Sequence, residues 1–399
     1  MQKLIFLSCL FLLLTACGDP SPNATSEATE PADTPQEFPD EALDFAVEQA
    51  LRLDAVVPDS LIPRSLEPDG ELRLKPIRDW TSGFFASTLV YLYEYSNNPA
   101  LKQAYEDRFV YLEAAKNETH THDVGFKIQC SFGNALRITG DTATYAPVII
   151  ATANSLMTRY DEEVGAIKSW SWTNELNWNY PVIVDNMMNL ELLCVASALS
   201  GDPKYREAAM SHADVTMANH FREDNSSFHV VSYNDDGTVE KKNTHQGIAD
   251  ESAWARGQAW GLYGYTMMHR ETGEERYLEQ AKKIADFLLA HPNLPEDKIP
   301  YWDFNDPDIP NVPRDASAGA IIASALVELG EITAMDKYGD AGEQILLSLA
   351  SPSYLAEAGE NGNFILEHSV GNMPSDDEID VPINYADYYF IEGLMRLER

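Results

Sequence analysis

ITGDTATY, residues 138–145, ends one apolar periodic segment at a glycine and starts the next with an acid and a tyrosine. The same arrangement returns as LSGDPKY at 199–205 and ETGEERY at 271–277, with YSNNPALKQAY at 95–105 and AMDKYGD at 334–340 as looser copies. Glycine at a helix C-cap followed by an acidic or proline-led first turn is typical of a tight connection between helices. The spacing, roughly 40 to 70 residues, predicts helical hairpins repeated around one core.

Helical periodicity dominates the sequence on both sides of these turns. Twelve helices in six hairpins close as an (α/α)6 toroid, so we expect one all-α domain over residues 40–399. An open helical solenoid is the alternative, but it needs polar capping repeats at both ends, and the last segment, VPINYADYYFIEGLMRL, is strongly apolar. The twelve segments lie near residues 40–55, 80–96, 99–115, 123–139, 143–159, 181–199, 203–220, 250–270, 274–290, 315–333, 337–349 and 384–398.

The longer connections are predicted to carry function, because binding and catalytic residues concentrate in loops held by a rigid scaffold. The inner helices of a toroid start at one mouth, and we expect these loops to meet there. Strand-like alternation is scarce; FHVVSY at 228–233 is predicted to form a short hairpin at the rim. The candidate loops are residues 57–79, 160–180, 221–249, 291–314 and 350–383.

The N-terminus predicts an export signal and a lipid anchor. MQKLIFLSCLFLLLTAC has one lysine, an apolar run too short to span a membrane, and small residues leading into Cys17. This pattern resembles a bacterial lipobox, so residues 1–16 are expected to be removed and Cys17 acylated; an ordinary signal peptide is the alternative. Residues 17–39, rich in Pro, Ser, Thr and acids, predict a disordered tether. We therefore expect a protein of the bacterial cell envelope, facing the periplasm or the outside and held to a membrane by lipid alone.

The charge balance excludes two classes of partner. The 64 acidic and 28 basic residues give a formal net charge of -36, whereas nucleic acids and anionic membrane surfaces require basic patches. A local cationic pocket can still hold an anionic ligand, since salt screens distant charges over roughly 8 Å. Cys130 and Cys194 are expected to be buried free thiols. No cysteine or histidine spacing fits a metal site, no cofactor is indicated, and the oligomeric state is not set by these patterns.

The tract THQGIADESAWARGQAWGLYGYT, residues 244–265, concentrates polar and aromatic side chains. In the helix that it predicts, capped by Ser252 or Asp250, Arg256 and Trp260 share one face. A guanidinium beside an indole suits a carboxylate-bearing sugar, although helix packing with a solvated Arg256 explains any one residue alone. Interior glycines cost roughly 1 kcal/mol each against alanine. They predict that another element approaches this helix closely at Gly257, Gly261 and Gly264.

Two aspartates are candidate catalytic groups. Asp185 lies in NYPVIVDNMMNLELL, where apolar neighbours are expected to bury its carboxyl and raise its pKa, as a general acid requires. A helix N-cap or a hydrogen-bonded core aspartate fits Asp185 equally well. Asp123, in THTHDVGFKIQCSFG, directly precedes a helix and alone is best explained as an N-cap. The neighbouring His120, His122 and Gly125 favour a polar rim there.

Aromatic residues accumulate in the same loops. Indole rings stack on the apolar faces of sugars, but most tryptophans are core residues, so only some of these are expected to line a groove. The candidates are Trp80, Trp170, Trp172, Trp178 and Trp302.

Together these motifs resemble the unsaturated glucuronyl hydrolases of glycoside hydrolase family 88. The resemblance implies an (α/α)6 barrel that removes a 4,5-unsaturated uronic acid from the non-reducing end of small anionic oligosaccharides made by lyases. The uronic acid that it favours is unsaturated glucuronate. The resembling tracts run in order between residues 80 and 398: THDVGF at 121–126, GAIKSW at 165–170, VDNMMNLELL at 184–193, FHVVSY at 228–233, THQGIADESAWARGQAW at 244–260, and ILEHSVGNMP through EIDVPINYADYYFIEGLMR.

Carried over by motif, Asp185 resembles the general acid/base and Asp123 the second essential carboxylate. Phe85 and Ala86 depart from the pattern expected after Gly83-Phe84, so the rim near Trp80 is expected to differ. The loop GNMPSDDEID lacks the Ser/Lys pattern linked to sulfate recognition in some members, so nothing supports a preference for sulfated fragments. The implied substrate contacts are Trp80, His122, Trp170, His229, Gln246, Arg256 and Trp260.

The implied chemistry needs one acid/base, in contrast to the paired carboxylates of ordinary glycosidases. A protonated Asp185 donates to C4 of the enol ether, and water adds at C5. Asp123 is expected to orient the substrate and to keep Asp185 protonated by like-charge repulsion. The alternatives are an unsaturated rhamnogalacturonyl hydrolase, which shares this fold and chemistry, and a non-catalytic surface glycan-binding lipoprotein, which leaves both aspartates without a task.

Overall fold

The computed structural model describes residues 38–171 and 176–398, and its helices follow the predicted segments. The predicted signal peptide 1–16, the acylated Cys17, nearly all of the tether and Trp172 lie outside the described residues. The helices are α1 Asp40–Val56, α2 Ser82–Ser96, α3 Pro99–Leu112, α4 Val124–Ile128, α5 Asn134–Thr139, α6 Thr142–Met157, α7 Leu190–Ser200, α8 Lys204–Asn219, α9 Ala255–Thr272, α10 Glu275–Ala290, α11 Ala316–Thr333, α12 Asp336–Leu349 and α13 Asn384–Leu397.

Each predicted segment contains a helix, but three are altered. α4 and α5 share one segment, split by a π-helical turn at Gln129–Gly133. α7 starts only at Leu190, because the β-branched run before it forms a strand and Val184–Asn189 form a 3-10 turn. α9 starts at Ala255, whose amide donates to the carbonyl of Trp302. In the part of the chain that the structure describes, no side chain caps α9, so the predicted cap by residue 250 or 252 is wrong.

The glycine turns that predicted the hairpins are confirmed. Gly140, Gly201 and Gly273 follow α5, α7 and α9 in the left-handed region, with φ of 68°, 73° and 71°. Glycine adopts this conformation without steric cost, and its amide closes the last helical turn. After the first of these turns, Asp141 accepts a hydrogen bond from the amide of Thr144 and starts α6. Each turn therefore folds an outer helix back along an inner one.

The inner helices form a closed ring. α2, α9, α11 and α13 are buried on every side along most of their length, whereas α10 and α12 bury a single stripe. Around the ring, α2, α4, α7, α9, α11 and α13 pack in that order, and α13 packs back against α2. This closure confirms the toroid and excludes an open solenoid. α11 is long and apolar enough to cross a membrane, but 78% of it is buried in the barrel.

Short antiparallel strands lie in the long loops and build the rim. The predicted hairpin at 228–233 is confirmed as part of a three-stranded sheet in the order β5-β6-β7, where Ile183 pairs with Val230 and Val230 with Asn243. The other strands pair as β1-β2, β3-β4 and β8-β9. Their bounds are β1 Leu61–Leu66, β2 Leu72–Pro76, β3 Tyr160–Asp161, β4 Ala166–Ile167, β5 Tyr180–Ile183, β6 Val230–Tyr233, β7 Val239–Asn243, β8 Ser369–Asn372 and β9 Asp377–Val381.

Candidate active site

The first residues of the inner helices surround a cavity of about 190 Å³. Trp80 precedes α2, Asp123 precedes α4, and Asp185 lies in the turn before α7. Arg256 and Tyr385 are the second residues of α9 and α13. The rim and the first helical turns supply the rest of the lining: Arg64, His122, Phe126, Trp170, Ile183, His245, Gln246, Gly371, Asn372 and Asp377.

A glycine in α9 lets the turn that carries Asp185 approach closely. A Cβ added at Gly264 would lie 2.5 Å from the Cβ of Met187, which belongs to the same 3-10 turn as Asp185. Real side chains do not approach so closely, so any larger residue at this position pushes the turn away. The predicted close approach to the α9 backbone is therefore found at Gly264, and it sets the depth of Asp185.

A second glycine brings Asp123 to the same turn. A Cβ added at Gly125 would lie 2.6 Å from the Cα of Asn189. The contact is fixed by the amide of Phe126, which donates to Oδ1 of Asn189 at 3.1 Å. Because α4 starts directly after Asp123, the contact places that carboxylate on the cavity wall beside the turn of Asp185.

The carboxyl of Asp185 is poorly hydrated. Burial raises its pKa to about 7; the positive charge of Arg256 opposes this shift, and the negative charge of Asp123 adds to it. Oδ2 of Asp185 is buried and accepts no hydrogen bond from the described residues. A carboxyl with a pKa near neutrality can both donate and recover a proton, as general acid/base catalysis requires.

Asp123 occupies the helix N-cap position without acting as a cap. Among the described residues its side chain accepts no hydrogen bond from the first turn of α4. Instead it accepts one from the hydroxyl of Thr121, and its Oδ1 lies 3.2 Å from Nε2 of His122. Burial lowers the pKa of His122, although the charge of Asp123 opposes that shift. The side chain therefore lines the cavity and does not cap the helix.

The guanidinium of Arg256 lines the cavity and is held there by three hydrogen bonds within the protein. Nη1 lies 3.2 Å from Oδ2 of Asp315, the N-cap of α11, and also donates to the carbonyl of Val370. Nη2 donates to the carbonyl of Gly371 at 2.5 Å. Three of its five N–H donors are therefore used to fix β8 and α11. Arg256 also contributes positive charge close to Asp185.

His229 and Trp260, expected to contact substrate, lie behind Asp185 and outside the cavity lining. Nε2 of His229 is 3.7 Å from Oδ2 of Asp185. Nδ1 of His229 accepts the amides of His245 and Gln246 at 3.1 and 3.2 Å, so the ring proton is on Nε2 and faces the carboxyl. Burial lowers the pKa of His229 well below its usual value, so the ring is neutral. The indole of Trp260 is fully buried and lowers the pKa of Asp185.

The other predicted contacts reach the cavity. Trp80 packs against Tyr385, with ring centroids 5.1 Å apart, and Trp170 stacks on Trp178 at 5.6 Å. Gln246 donates to the carbonyl of Gly371 at 3.1 Å, so it also holds β8. Trp178 and Trp302 are buried, and Trp302 donates to Asp306 at 2.8 Å, so both act as core residues. Cys130 and Cys194 are free thiols as predicted, with Cys130 only partly buried.

Sequence reasoning missed the five other residues that line the cavity with polar side chains. Arg64 comes from β1, where it pairs with Glu378 at 2.6 Å, and no local pattern distinguishes it from a surface arginine. Tyr385 was recognised only as part of an apolar helix. His245 was inside the quoted tract without a role, and Asn372 and Asp377 belong to a hairpin whose position depends on contacts far along the chain.

The comparisons with known proteins agree with this geometry. A family model described as Glycosyl Hydrolase Family 88 matches residues 63–389. An unsaturated glucuronyl hydrolase of Formosa agariphila is 48% identical over 84% of this chain and 84% of its own. A crystal structure of an unsaturated glucuronyl hydrolase specific for heparin is 47% identical, with a TM-score of 0.86, over 89% of this chain and 95% of that one.

A third likeness was solved with a sugar bound. It is a mutant unsaturated glucuronyl hydrolase of Streptococcus agalactiae complexed with dGlcA-GalNAc6S, 28% identical with a TM-score of 0.76, over 90% of this chain and 91% of that one. The family model spans most of the barrel and includes Asp123 and Asp185. On this match and on the relative at 48% identity, the chain belongs to Glycosyl Hydrolase Family 88.

Proposed function

We propose that Asp185 is the single acid/base of this enzyme. The protein is a glycoside hydrolase that releases 4,5-unsaturated uronic acid from the non-reducing end of oligosaccharides. The observation that carries the proposal is a buried aspartate on the cavity wall whose pKa is raised to about 7, beside a second carboxylate. The alternative of a non-catalytic glycan-binding protein gives this carboxyl no task.

The reaction uses the enol ether of the substrate. Protonated Asp185 donates to C4, and positive charge develops at C5 and the ring oxygen. The resulting carboxylate takes a proton from water, whose oxygen adds to C5 and forms a hemiketal. The hemiketal opens to a ketone, which leaves C1 as a hemiacetal that expels the aglycone as an alcohol. The proton taken from water restores Asp185 for the next turnover.

The neighbouring groups each support one step. Neutral His229 keeps its Nε2 proton directed at Asp185 and can stabilise the carboxylate form, while the charge of Asp123 favours the protonated form. Arg256 adds a fixed positive charge on the cavity wall, and we propose that it attracts the uronate. The rings of Trp80 and Trp170 are proposed to stack on the sugar.

The test measures the loss of the substrate's conjugated double bond. Unsaturated oligosaccharides from lyase digests lose the ultraviolet absorbance of the conjugated bond when hydrated, which separates a hydrolase from a binder. Asp185→Asn is expected to lower kcat at least a thousandfold, while its sugar affinity, measured by calorimetry, stays within a few-fold of the wild type. Asp387→Asn, a second buried aspartate away from the cavity, serves as the matched control and should keep kcat. Turnover by Asp185→Asn near the wild-type rate refutes the assignment.

A panel of lyase digests can identify the oligosaccharide on which the enzyme acts. We propose unsaturated glucuronate as the first sugar, with unsaturated galacturonate, as in rhamnogalacturonyl hydrolases, the second candidate. Digests of ulvan, chondroitin, heparin, hyaluronan and gellan, together with a rhamnogalacturonan digest, separate the two by relative kcat/KM. A rate highest on the rhamnogalacturonan fragments would overturn the glucuronate assignment.

We also propose that the protein is a lipoprotein of the cell envelope, with residues 1–16 removed, Cys17 acylated and residues 17–39 serving as tether to the catalytic domain over 40–399. The lipobox-like sequence before Cys17 supports this. In a bacterial host, the wild type is expected in the membrane fraction and Cys17→Ala in the soluble fraction, with equal specific activity. Membrane association of Cys17→Ala contradicts the anchor.

A further inference from the structure

A second and larger cavity, about 490 Å³, is lined by the middle and later turns of α2, α9, α11 and α13 and by the first turn of α7. Tyr91 of α2, Tyr263 of α9, Glu328 of α11 and Glu392 of α13 are among the residues that line it. Among the described residues, the two cavities share no lining residue. The reaction proposed above uses nothing from this end of the barrel.

Negative charge exceeds positive charge in this second cavity. Arg270 lies 2.6 to 3.0 Å from three carboxylates, and Arg396 lies 2.9 Å from one of these and 3.6 Å from a fourth. The lining also contains Arg137, but that guanidinium pairs with Glu94, outside the cavity. Two guanidinium groups therefore serve four carboxylates, a surplus of two negative charges; the fifth glutamate of the lining, Glu331, is exposed to solvent. The four are Glu191, Glu271, Glu328 and Glu392.

The buried position of this cluster makes the surplus costly. Burial raises the pKa of Glu191; Arg270 opposes the shift, and the negative charges of Glu271, Glu392 and Glu328 add to it. Glu392 accepts hydrogen bonds from Tyr91 at 2.9 Å and Tyr263 at 3.0 Å. A positive ligand relieves the repulsion that remains.

One buried polar atom in the lining, Oε1 of Gln129, has no partner among the described residues. Gln129 is 9% exposed. Leaving a buried acceptor unpaired is unfavourable, and a donor from a ligand relieves it. Since Oε1 can only accept, the complementary group on the ligand is a hydrogen-bond donor.

The aromatic walls also favour a cation. Four tyrosine rings line the cavity, and aromatic faces attract ammonium groups; they are Tyr91, Tyr263, Tyr388 and Tyr389. The described residues contain no cluster of three or more His, Cys, Asp or Glu side chains arranged to hold a metal ion. The chemistry therefore suits an organic cation better than a metal.

We propose that this cavity binds a small organic dication, a diamine with both amino groups protonated. Two ammonium groups neutralise the two surplus charges, and their N–H groups supply donors for the carboxylates and for Oε1 of Gln129. The short chain between them packs against the tyrosine rings. The site is independent of the catalytic one, because Asp185 lines only the first cavity.

Calorimetry with putrescine tests the proposal, with the corresponding butanediol as its neutral isostere, at matched ionic strength. Putrescine is expected to bind one site on the wild type and on Asp185→Asn with equal affinity, and the diol not to bind. Glu191→Gln is expected to weaken putrescine binding at least tenfold. The matched control is Glu343→Gln on α12, an exposed glutamate away from both cavities, which should leave the affinity unchanged.

Several results overturn the proposal. One is the absence of putrescine binding to the wild type, and another is equal binding of the diol. A third is loss of binding in Asp185→Asn, because it would place the ligand in the catalytic cavity. Unchanged affinity of Glu191→Gln also does so, provided that its melting temperature shows a folded protein. If Glu191→Gln does not fold, Glu271→Gln, whose side chain is 22% exposed at the cavity edge, takes its place with the same expected tenfold loss.

Discussion

At Asp185, burial and two neighbouring charges of opposite sign set the pH at which the enzyme works. Burial raises the pKa to about 7, and Asp123 adds to the shift. The first step needs the protonated form, so kcat/KM is expected to fall as pH rises through about 7. Asp123→Asn removes a negative charge, lowers the pKa of Asp185 and should move this fall to lower pH. A pH series of kcat/KM for both proteins checks this, and a fall at unchanged or higher pH in Asp123→Asn contradicts it.

The same carboxyl is expected to destabilise the fold at neutral pH. The pKa of Asp185 is about 7 when folded and about 3.9 when unfolded, so between these values only the folded state keeps the proton. Stability therefore falls as pH rises through this window. Asp185→Asn should raise the free energy of unfolding by up to about 4 kcal/mol above pH 7, and by nothing well below pH 4. Urea unfolding at both pH values measures this, and equal stability at high pH contradicts it.

Asp387 is the matched control, because burial also raises its pKa to about 7. Its two oxygens accept the amides of Ile365 at 3.0 Å and Leu366 at 2.9 Å. An asparagine offers one acceptor in place of two, so well below pH 4, where both carboxyls are protonated in the folded and the unfolded state, Asp387→Asn should lose about 1 to 3 kcal/mol of stability. Asp185→Asn should lose nothing at that pH, so a loss in Asp387→Asn alone separates a carboxyl held for structure from one held for chemistry.

Residue-level prediction succeeds where the causes are local. The apolar neighbours of Asp185 along the chain indicated its burial, and burial is the main cause of its shifted pKa. The neighbours of Arg256 along the chain did not indicate its environment. Its partners, Asp315 and the carbonyls of Val370 and Gly371, come from elements more than fifty residues away, and only the fold brings them together.

Among the elements, the 3-10 turn of Asp185 depends on its contact with α9. A Cβ at Gly264 would meet the Cβ of Met187 at 2.5 Å, whereas a Cβ at Gly261 would meet only the ring edge of Phe221 at 3.4 Å. Gly264→Ala should cost about 1 to 3 kcal/mol and lower kcat by moving the turn. Gly261→Ala, the control, should keep kcat and gain up to about 1 kcal/mol of helix propensity. Denaturant unfolding and initial rates measure both, and similar values for the two contradict the close-approach argument.

The prediction of secondary-structure elements failed where a short apolar run fits a strand as well as a helix. The segment 181–199 was expected to be one helix, yet Tyr180–Ile183 pair with β6 and α7 begins at Leu190. A buried strand and a buried helix look alike in such a run, and the strand partner lies far along the sequence. The glycine-led turns were predicted correctly, since the left-handed C-cap that they form depends on the local sequence alone.

At the scale of the whole molecule, the apolar last segment of the sequence was the feature that predicted closure of the ring. An apolar last segment has no place at the end of an open solenoid, and α13 indeed packs between α11 and α2. Closure gathers the six helix starts at one end, so catalytic candidates scattered between Trp80 and Tyr385 meet in one cavity. The rim strands were largely invisible in the sequence, because most of them are short and pair with distant partners.

The net charge of the whole molecule predicts how salt affects the enzyme. A formal charge of -36 repels an anionic oligosaccharide at long range, whereas Arg256 and Arg64 act within the cavity. Raising the ionic strength from about 0.01 to 0.15 M shortens the screening length from about 30 to 8 Å and removes mainly the long-range repulsion. We therefore expect kcat/KM to rise several-fold over this range, through KM, and more for substrates that carry more negative groups. Initial rates at constant pH in sodium chloride measure the effect. A steady fall of kcat/KM with salt would mean that the local arginines outweigh the acidic surface, and that the surface charge has no influence on substrate capture.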